Sequence, residues 1–325
     1  MITNKKIIFI GIGFYDYELD IIKYLEAKKN TVYYLNSVRP SHIKALLSIF
    51  KITNFWKEKA QNFYTQKKIK KIPPNNDYVF VIKGEKLNKM DLHLLRDQNT
   101  NAKFILYEWD SIKRLSKTTK SLVSDFDKVL TFDMEDSQNY NMAFRPLYYR
   151  KNCLCTTKEA LFLEKIYDLT FIGFAHSDRV ELLIPLYRKL IKMGYKAQFK
   201  IVIRYKTVLK LLFTRKIHFS ELSLFLFKYL PFKEYTDILK QSKAVIDLHH
   251  PNQSGLTMRS IESLAANCHL YTTNSNIKKY DNISSSSWSI INRELLDIKV
   301  KKNYTKTQFD TNYYSFEKFI TDIFA

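Results

Sequence analysis

Short apolar runs alternate with amphipathic stretches along the whole chain. Lys6 to Gly11, Thr31 to Leu35, Tyr78 to Ile82, Lys103 to Tyr107 and Lys128 to Phe132 read as strands. Helical spacing fills the gaps, as in Glu18 to Lys28 and in Leu87 to Asp97, where Leu92, Leu94 and Leu95 are apolar. This alternation predicts a doubly wound parallel sheet. The pattern loosens from Arg145 to Thr157, and a second series follows. It predicts a strand at Leu169 to Ile172, a helix at Arg179 to Met193, a strand at Ala197 to Ile203, and a long helical region from Thr207 to Ser242 interrupted near Pro231. Ala244 to Leu248 and His269 to Thr272 are strands around a helix that begins at Thr257, and Tyr314 to Phe324 is a last helix. The chain divides into an α/β domain over 1–150, a second over 151–305, and a helical tail over 306–325.

Composition narrows the class. At 325 residues with 46% hydrophobic side chains, two packed domains are expected. Cys153, Cys155 and Cys268 form neither a disulfide framework nor a zinc-ligand pattern. Lys5 and Lys6 precede an apolar run that leads into Asp16, Glu18 and Asp20, so a first strand is expected there rather than a signal peptide. The longest apolar region, Leu222 to Phe232, is interrupted by Lys228, so no membrane span is expected and the cytoplasm is the expected location.

The net charge of +21 calls for anionic partners, whether nucleic acid, a membrane surface or phosphorylated substrates. Lys44 to Lys71 holds eight lysines against one glutamate. Ile43, Leu46, Leu47 and Phe50 follow helical spacing there, giving either a core-packed helix with a solvated basic side or a face for an anionic membrane. Lys67, Lys68, Lys70 and Lys71 would carry much of that attraction.

The chemistry-bearing residues fall just after strands, where a parallel sheet presents its functional edge. Gly11-Ile12-Gly13 follows the first strand, but position 16 is Asp16, so the third glycine of a dinucleotide fingerprint is missing. The loop reads as a tight turn. Lys83, Glu108, Asp110 and Asp133 lie after the third, fourth and fifth strands. Asp110 is a candidate catalytic carboxylate, although Asp110 and Asp133 also suit helix N-caps. Asp125-Phe126-Asp127 reads as a flank of the fifth strand rather than a metal motif.

In the second domain, Gly173, His176, Ser177 and Arg179 stand where a helix begins, a place that favours phosphate, although Ser177 or Asp178 also suits a helix cap. The stretch Ala244 to Asn274 adds His249, Ser254, Gly255, Leu256, Thr257, Arg259 and Glu262 as nucleotide-binding candidates at a second strand–loop–helix edge. One of His249 and His250 is expected to point out and the other in. Glu262 either accepts ribose hydroxyls or is an exposed helical glutamate paired with Arg259 or solvent.

The strings YEWDS, FDMED, VIKGE, FRPLYY and FIGFAHSDR, with the Ala244 to Asn274 segment, resemble those of bacterial capsule and lipopolysaccharide glycosyltransferases related to the spore-maturation-protein-like glycosyltransferases. The resemblance covers most of the chain. It implies a GT-B-like α/β fold, two Rossmann-like parallel-sheet domains facing a cleft, with a nucleotide-sugar donor held by the second-domain candidates above and a lipid-linked or lipopolysaccharide acceptor in the first, where Gly13, Lys83, Glu108 and Asp133 would lie on the acceptor side and Asp16 would be a candidate base. It implies no cofactor, no metal and a peripheral position on the inner face of the cytoplasmic membrane. In retaining members two glutamates stand eight positions apart; Glu262 matches the second, and Ser254 occupies the place of the first. Two other classes remain open: a non-catalytic nucleic-acid-binding protein, which lacks a readable module here, and a polyol-phosphate transferase on the same fold.

Overall fold

The structure, a computed structural model, describes residues 2–13, 16–38, 54–156, 164–176, 178–300 and 307–325. It forms two compact units. The first comprises Met1–Pro146, Asn252–Gly255 and Phe319–Ala325; the second comprises Leu147–Pro251 and Leu256–Lys318.

The first unit is built from β1 (Lys6–Gly11), α1 (Tyr17–Ala27), β2 (Thr31–Asn36), α2 (Asn54–Ile69), β3 (Tyr78–Ile82), α3 (Lys89–Gln98), β4 (Lys103–Glu108), α4 (Lys117–Leu122), β5 (Lys128–Thr131), α5 (Met134–Tyr140) and β6 (Ala143–Phe144). Six parallel strands lie in the order β2-β1-β3-β4-β5-β6. Alternate residues load the two faces of this sheet. Ile8, Ile10, Val79, Val81, Phe104 and Leu106 join one core. Phe9 and Phe80 stack at 5.1 Å, and Phe324 meets Phe80 edge-on at 5.4 Å. Phe324 ends α10 (Phe316–Phe324), the helix of the tail. The Lys128 ammonium donates to the carbonyls of Asp322 and Ile323 at 2.8 and 3.1 Å, satisfying acceptors that a helix C-terminus leaves open.

The second unit contains β7 (Leu169–Phe174), α6 (Arg179–Lys192), β8 (Ala197–Val202), α7 (Tyr205–Phe213), β9 (Phe225–Leu226), α8 (Phe232–Lys240), β10 (Ala244–Asp247), α9 (Met258–Ala265), β11 (His269–Thr272) and β12 (Trp288–Ile290). Its six parallel strands lie in the order β12-β11-β10-β7-β8-β9. Leu169, Phe171, Phe199, Ile201, Leu183 and Leu190 anchor its core.

The long helix expected from Thr207 to Ser242 is divided. Arg215 takes φ 54° just after α7 ends, a 3₁₀ turn spans Phe219–Leu224, and β9 then pairs with β8 through Ile201↔Phe225 and Val202↔Leu226. Ile217, Leu224 and Phe225 are buried in the core instead of continuing a helical stripe. Three short strands, β6, β9 and β12, are thus added to those read from the sequence.

In each sheet the first strand sends its crossovers to opposite sides. The strand order reverses between β1 and β3 in the first unit and between β7 and β10 in the second. Ligands of open parallel sheets bind beyond the C-terminal ends of the strands at such reversals.

Candidate functional site

At the reversal of the second sheet, β10 ends in Asp247, whose carboxylate is fully buried. It accepts from the Arg259 guanidinium at 2.7 Å, the Ser260 hydroxyl at 2.5 Å and the Thr257 hydroxyl at 2.9 Å. Burial pushes this carboxyl up, but Arg259, Ser260, Arg179 and Thr257 together hold it below its ordinary range. Thr257 also caps α9 by accepting from the Ser260 amide at 3.2 Å, as its position before the apolar run predicts.

Arg259 donates its Nε to the Ile172 carbonyl at 2.8 Å and lies across Gly173. A Cβ at Gly173 would stand 2.0 Å from Arg259 Nη2. The glycine admits a guanidinium of the same unit, rather than simply letting backbone come near a ligand. Arg259 therefore braces Asp247, and its pairing with Glu262 is not what the geometry shows.

Arg179 begins α6 and is almost wholly buried. Its Nε and Nη2 donate to the Leu248 carbonyl at 3.0 and 2.5 Å, and Nη1 donates to the Phe174 carbonyl at 3.3 Å. It thus ties the ends of β7 and β10 together. Burial pulls its guanidinium down to about 10, with Arg259 and Arg293 acting in the same direction. Asp178 occupies the N-cap position of α6 but makes no side-chain cap. It instead receives two bonds from Arg293, at 2.6 and 3.0 Å, and Arg293 also donates to the His249 carbonyl at 2.8 Å. The His249 ring meets the Thr273 hydroxyl at 2.7 Å. Burial, Arg293 and Arg179 lower its pKa, while Asp247 opposes them. His176 is exposed beside the start of α6, and Ser177 lies outside the described residues.

Glu262 is fully buried in α9. Tyr235 donates to it at 2.8 Å, and the Arg150 Nε stands 3.6 Å away. Burial pushes its carboxyl up against the pull of Arg150 and Tyr235. A ribose hydroxyl would have to displace one of these groups to reach it. Leu256 is buried, with its amide donating to the Tyr280 hydroxyl at 3.3 Å.

Ser254 and Gly255 belong to the first unit, where both amides donate to Asp133, at 3.0 and 3.1 Å. The Ser254 and Ser111 hydroxyls donate to the same carboxylate. Asp133 also caps α5, accepting from Glu135 at 3.0 Å, which fulfils its N-cap reading. Burial pushes Asp133 up, but the Ser111 and Ser254 hydrogen bonds bring it below its ordinary value. A Cβ at Gly255 would stand 2.4 Å from the Phe132 ring.

Three further features mark the C-terminal edge of the first sheet. Asp110 is held by Lys83 at 2.6 Å and Arg114 at 2.9 Å and does not cap a helix through its side chain. Glu108, at the end of β4, is fully buried and neither carboxyl oxygen has a hydrogen-bond partner. Burial raises its pKa well above the ordinary value, and the Asp110 charge adds to this more than Lys83 offsets it. In the Gly11–Gly13 loop, the Ile12 and Gly13 amides donate to Glu18 at 3.0 and 3.1 Å. A carboxylate of the protein itself therefore sits where a cofactor phosphate would be held, and the tight-turn reading fits. Gly13 has φ 75°. Asp16 is exposed at the start of α1 and makes no side-chain cap.

Sequence reasoning missed Asp247, Arg293 and Glu18. Asp247 stood inside an apolar run, twelve positions before the arginine that neutralises it, and that pairing was the available signal. Among the described residues, no group of three or more His, Cys, Asp or Glu is placed to hold a metal ion, and no helix is long and apolar enough to cross a membrane. The apolar positions Ile43, Leu46, Leu47 and Phe50 lie outside the described residues, while Lys67, Lys68, Lys70 and Lys71 are exposed on and after α2.

No protein-family model and no curated protein matches the sequence. The fold, however, is that of solved structures along its whole length. The S. aureus MnaA–UDP complex aligns with a TM-score of 0.56 and 12% identity, over 98% of this chain and 96% of that one. A UDP-GlcNAc 2-epimerase from Methanocaldococcus jannaschii, in complex with UDP-GlcNAc and UDP, gives 0.52 and 11%, over 98% and 99%. The chain thus has a GT-B-like α/β fold with two Rossmann-like parallel-sheet domains. Its structural neighbours are enzymes that act on nucleotide sugars. At these identities the likeness is one of fold.

Proposed function

We propose that the protein transfers a sugar from a nucleotide-sugar donor to a surface-polysaccharide or lipopolysaccharide acceptor, at the inner face of the cytoplasmic membrane. The observation that carries the donor half is the excess of cations at the β7/β10 reversal. Arg179, Arg259 and Arg293 gather there against Asp247 and Asp178, and Arg179 has only carbonyls as hydrogen-bond partners. A diphosphate supplies the missing negative charge, and the N-terminus of α6 favours it further. Arg293, His249 and His176, which are partly or fully exposed, would touch the diphosphate. Arg179 would act mainly through its field and by fixing the Leu248 carbonyl, stabilising the charge that develops on the leaving nucleotide. In the first unit Asp16, exposed and uncommitted to a helix cap, suits the base that deprotonates an acceptor hydroxyl. Asp110, locked by two cations, would position Lys83. The nucleotide sugar is a substrate, so the reaction would need no cofactor, and unchanged turnover in EDTA would test its independence of metal.

A specific observation favours a second reading, epimerisation of a nucleotide sugar. Glu108 is a fully buried carboxyl at the C-terminal end of β4 with neither oxygen hydrogen-bonded, and its burial favours the protonated form, the form that can hand a proton to carbon. A panel of nucleotide sugars screened by thermal shift would find the donor. Incubating that donor with and without a lipid-linked acceptor extract then separates the readings. Transfer consumes donor and releases nucleotide with a sugar-bearing acceptor product. Epimerisation yields an isomeric nucleotide sugar without acceptor and takes up solvent deuterium at the sugar carbon. A panel with no shift, and no conversion of any donor, would reject both.

A further inference from the structure

The second unit carries an apolar and basic surface that the nucleotide chemistry does not use. In α7, Val208 is buried and Leu211 and Leu212 pack against the core. Tyr205, Leu209 and Phe213 follow one another at four-residue steps on a neighbouring stripe, and all three are exposed. Phe213 is 88% exposed, and Phe219, in the following 3₁₀ turn, is 79% exposed. Phe227, also exposed, follows β9, the edge strand. The Ile203 amide donates to the Leu226 carbonyl at 2.8 Å, which sets Phe227 near the start of α7. Aromatic side chains this exposed leave their apolar area in water with no packing to offset it, and clustered they mark a contact surface.

Charge identifies the partner. From Arg204 to Lys228 there are six lysines and arginines and one acidic residue, Glu221. Glu221 is buried and clamped by Arg188 at 2.6 and 2.8 Å, so it does not neutralise the exposed face. Of the six, Lys216 meets Glu181 at 3.0 Å. Lys206 and Lys210 follow Tyr205 and Leu209 directly, which sets a row of ammonium groups beside the apolar stripe. An apolar stripe flanked by long cationic side chains matches the boundary of a lipid bilayer, where rings enter the acyl region and ammonium groups remain with the headgroups. A second copy on the same face would oppose two sets of like charges.

We propose that α7, the Phe219–Leu224 turn and the segment after β9 form a docking surface for an anionic lipid bilayer. It is distinct from the basic 42–71 region. It involves none of the residues at the β7/β10 reversal, so it stands or falls independently of the nucleotide reading. Each cation near an anionic leaflet strengthens partitioning on the order of fivefold, and the aromatics add an apolar contribution that salt does not screen.

The test is flotation with phosphatidylglycerol and phosphatidylcholine vesicles, using the full chain and two variants. Phe213→Ala with Phe219→Ala removes the most exposed rings, and Lys206→Gln with Lys210→Gln removes flanking charge. All four side chains are exposed, and an unchanged melting temperature confirms that each variant folds. The wild type should bind anionic vesicles at least tenfold better than neutral ones, and each variant should lose about tenfold or more. Equal binding to both lipids, or full binding by the aromatic variant, overturns the proposal. So does failure to float together with RNA binding or dimerisation that the same substitutions abolish.

Discussion

Replacing Arg259 with methionine probes the centre of the second unit's reversal. Methionine keeps much of the unbranched length and removes the guanidinium from fully buried Asp247. Taking one partner from a buried ion pair costs about 3–5 kcal/mol, because the remaining charge is left uncompensated. Asp247 retains the Ser260 and Thr257 hydroxyls and the field of Arg179, which places the expected loss near the lower end, at about 3 kcal/mol. Urea unfolding followed by circular dichroism measures it. The double variant Arg259→Met with Asp247→Asn should recover much of the loss, since no charge is then stranded.

The pH dependence supplies a second readout with a definite sign. In the wild type the folded pKa of Asp247 lies below its ordinary 3.8, so its contribution is present above that value and is lost as pH falls through the folded pKa. Without Arg259, burial dominates and the folded pKa rises above the unfolded one. The contribution is then greatest in acid and is lost as pH rises. Between pH 4 and pH 7 the variant should therefore fall progressively behind the wild type. A variant within about 1 kcal/mol of wild type at pH 7, with a parallel pH profile, would refute Arg259 as the group that neutralises Asp247.

Three other outcomes follow from the same geometry. Gly173→Ala should destabilise by about 1–3 kcal/mol in urea unfolding, because its Cβ displaces Arg259, and should cost much less when Arg259 is already methionine. For Glu108 the folded pKa is raised, so stability is lost as pH rises from the unfolded value through the folded one; Glu108→Gln should match the wild type near pH 4 and exceed its melting temperature at pH 7. His249 has a pKa lowered by burial, and a bound diphosphate would raise it, so nucleotide affinity should increase as pH falls through the pKa of the complex toward the lower one of the free protein, with proton uptake visible in calorimetry across buffers of different ionisation enthalpy.

The central parallel strands β1, β3, β4, β7, β10 and β11 were legible because both their faces are largely buried, and a buried strand announces itself as a compact apolar run. Thr257 and Asp133 were legible as caps because cap chemistry is local to a few residues. The short strands β9 and β12 were not, since two or three residues carry no period. In the stretch from Thr207 to Ser242, apolar residues at helical spacing hid a turn that Arg215 makes in the left-handed region. Arg293 lies more than a hundred positions from Asp178, and nothing in either neighbourhood announces the pair. Glu18 looked like an ordinary first-turn acid of α1. Its role follows from the bend of the Gly11–Gly13 loop over it, which only the fold reveals.

The most direct test of the central claim, that the β7/β10 reversal binds a nucleoside diphosphate, is isothermal calorimetry of UDP and ADP against the wild type and Arg293→Gln. Arg293 is the most exposed of the three arginines in the cluster, and the charge-assisted bonds it would give a phosphate are worth about 1.5–3 kcal/mol, or roughly ten- to a hundredfold in affinity. The account predicts saturable binding of at least one nucleotide at one site per chain, weakened by that factor in a variant that still unfolds cooperatively. Absence of binding to either nucleotide at millimolar concentration, or equal affinity in the folded variant, would contradict it.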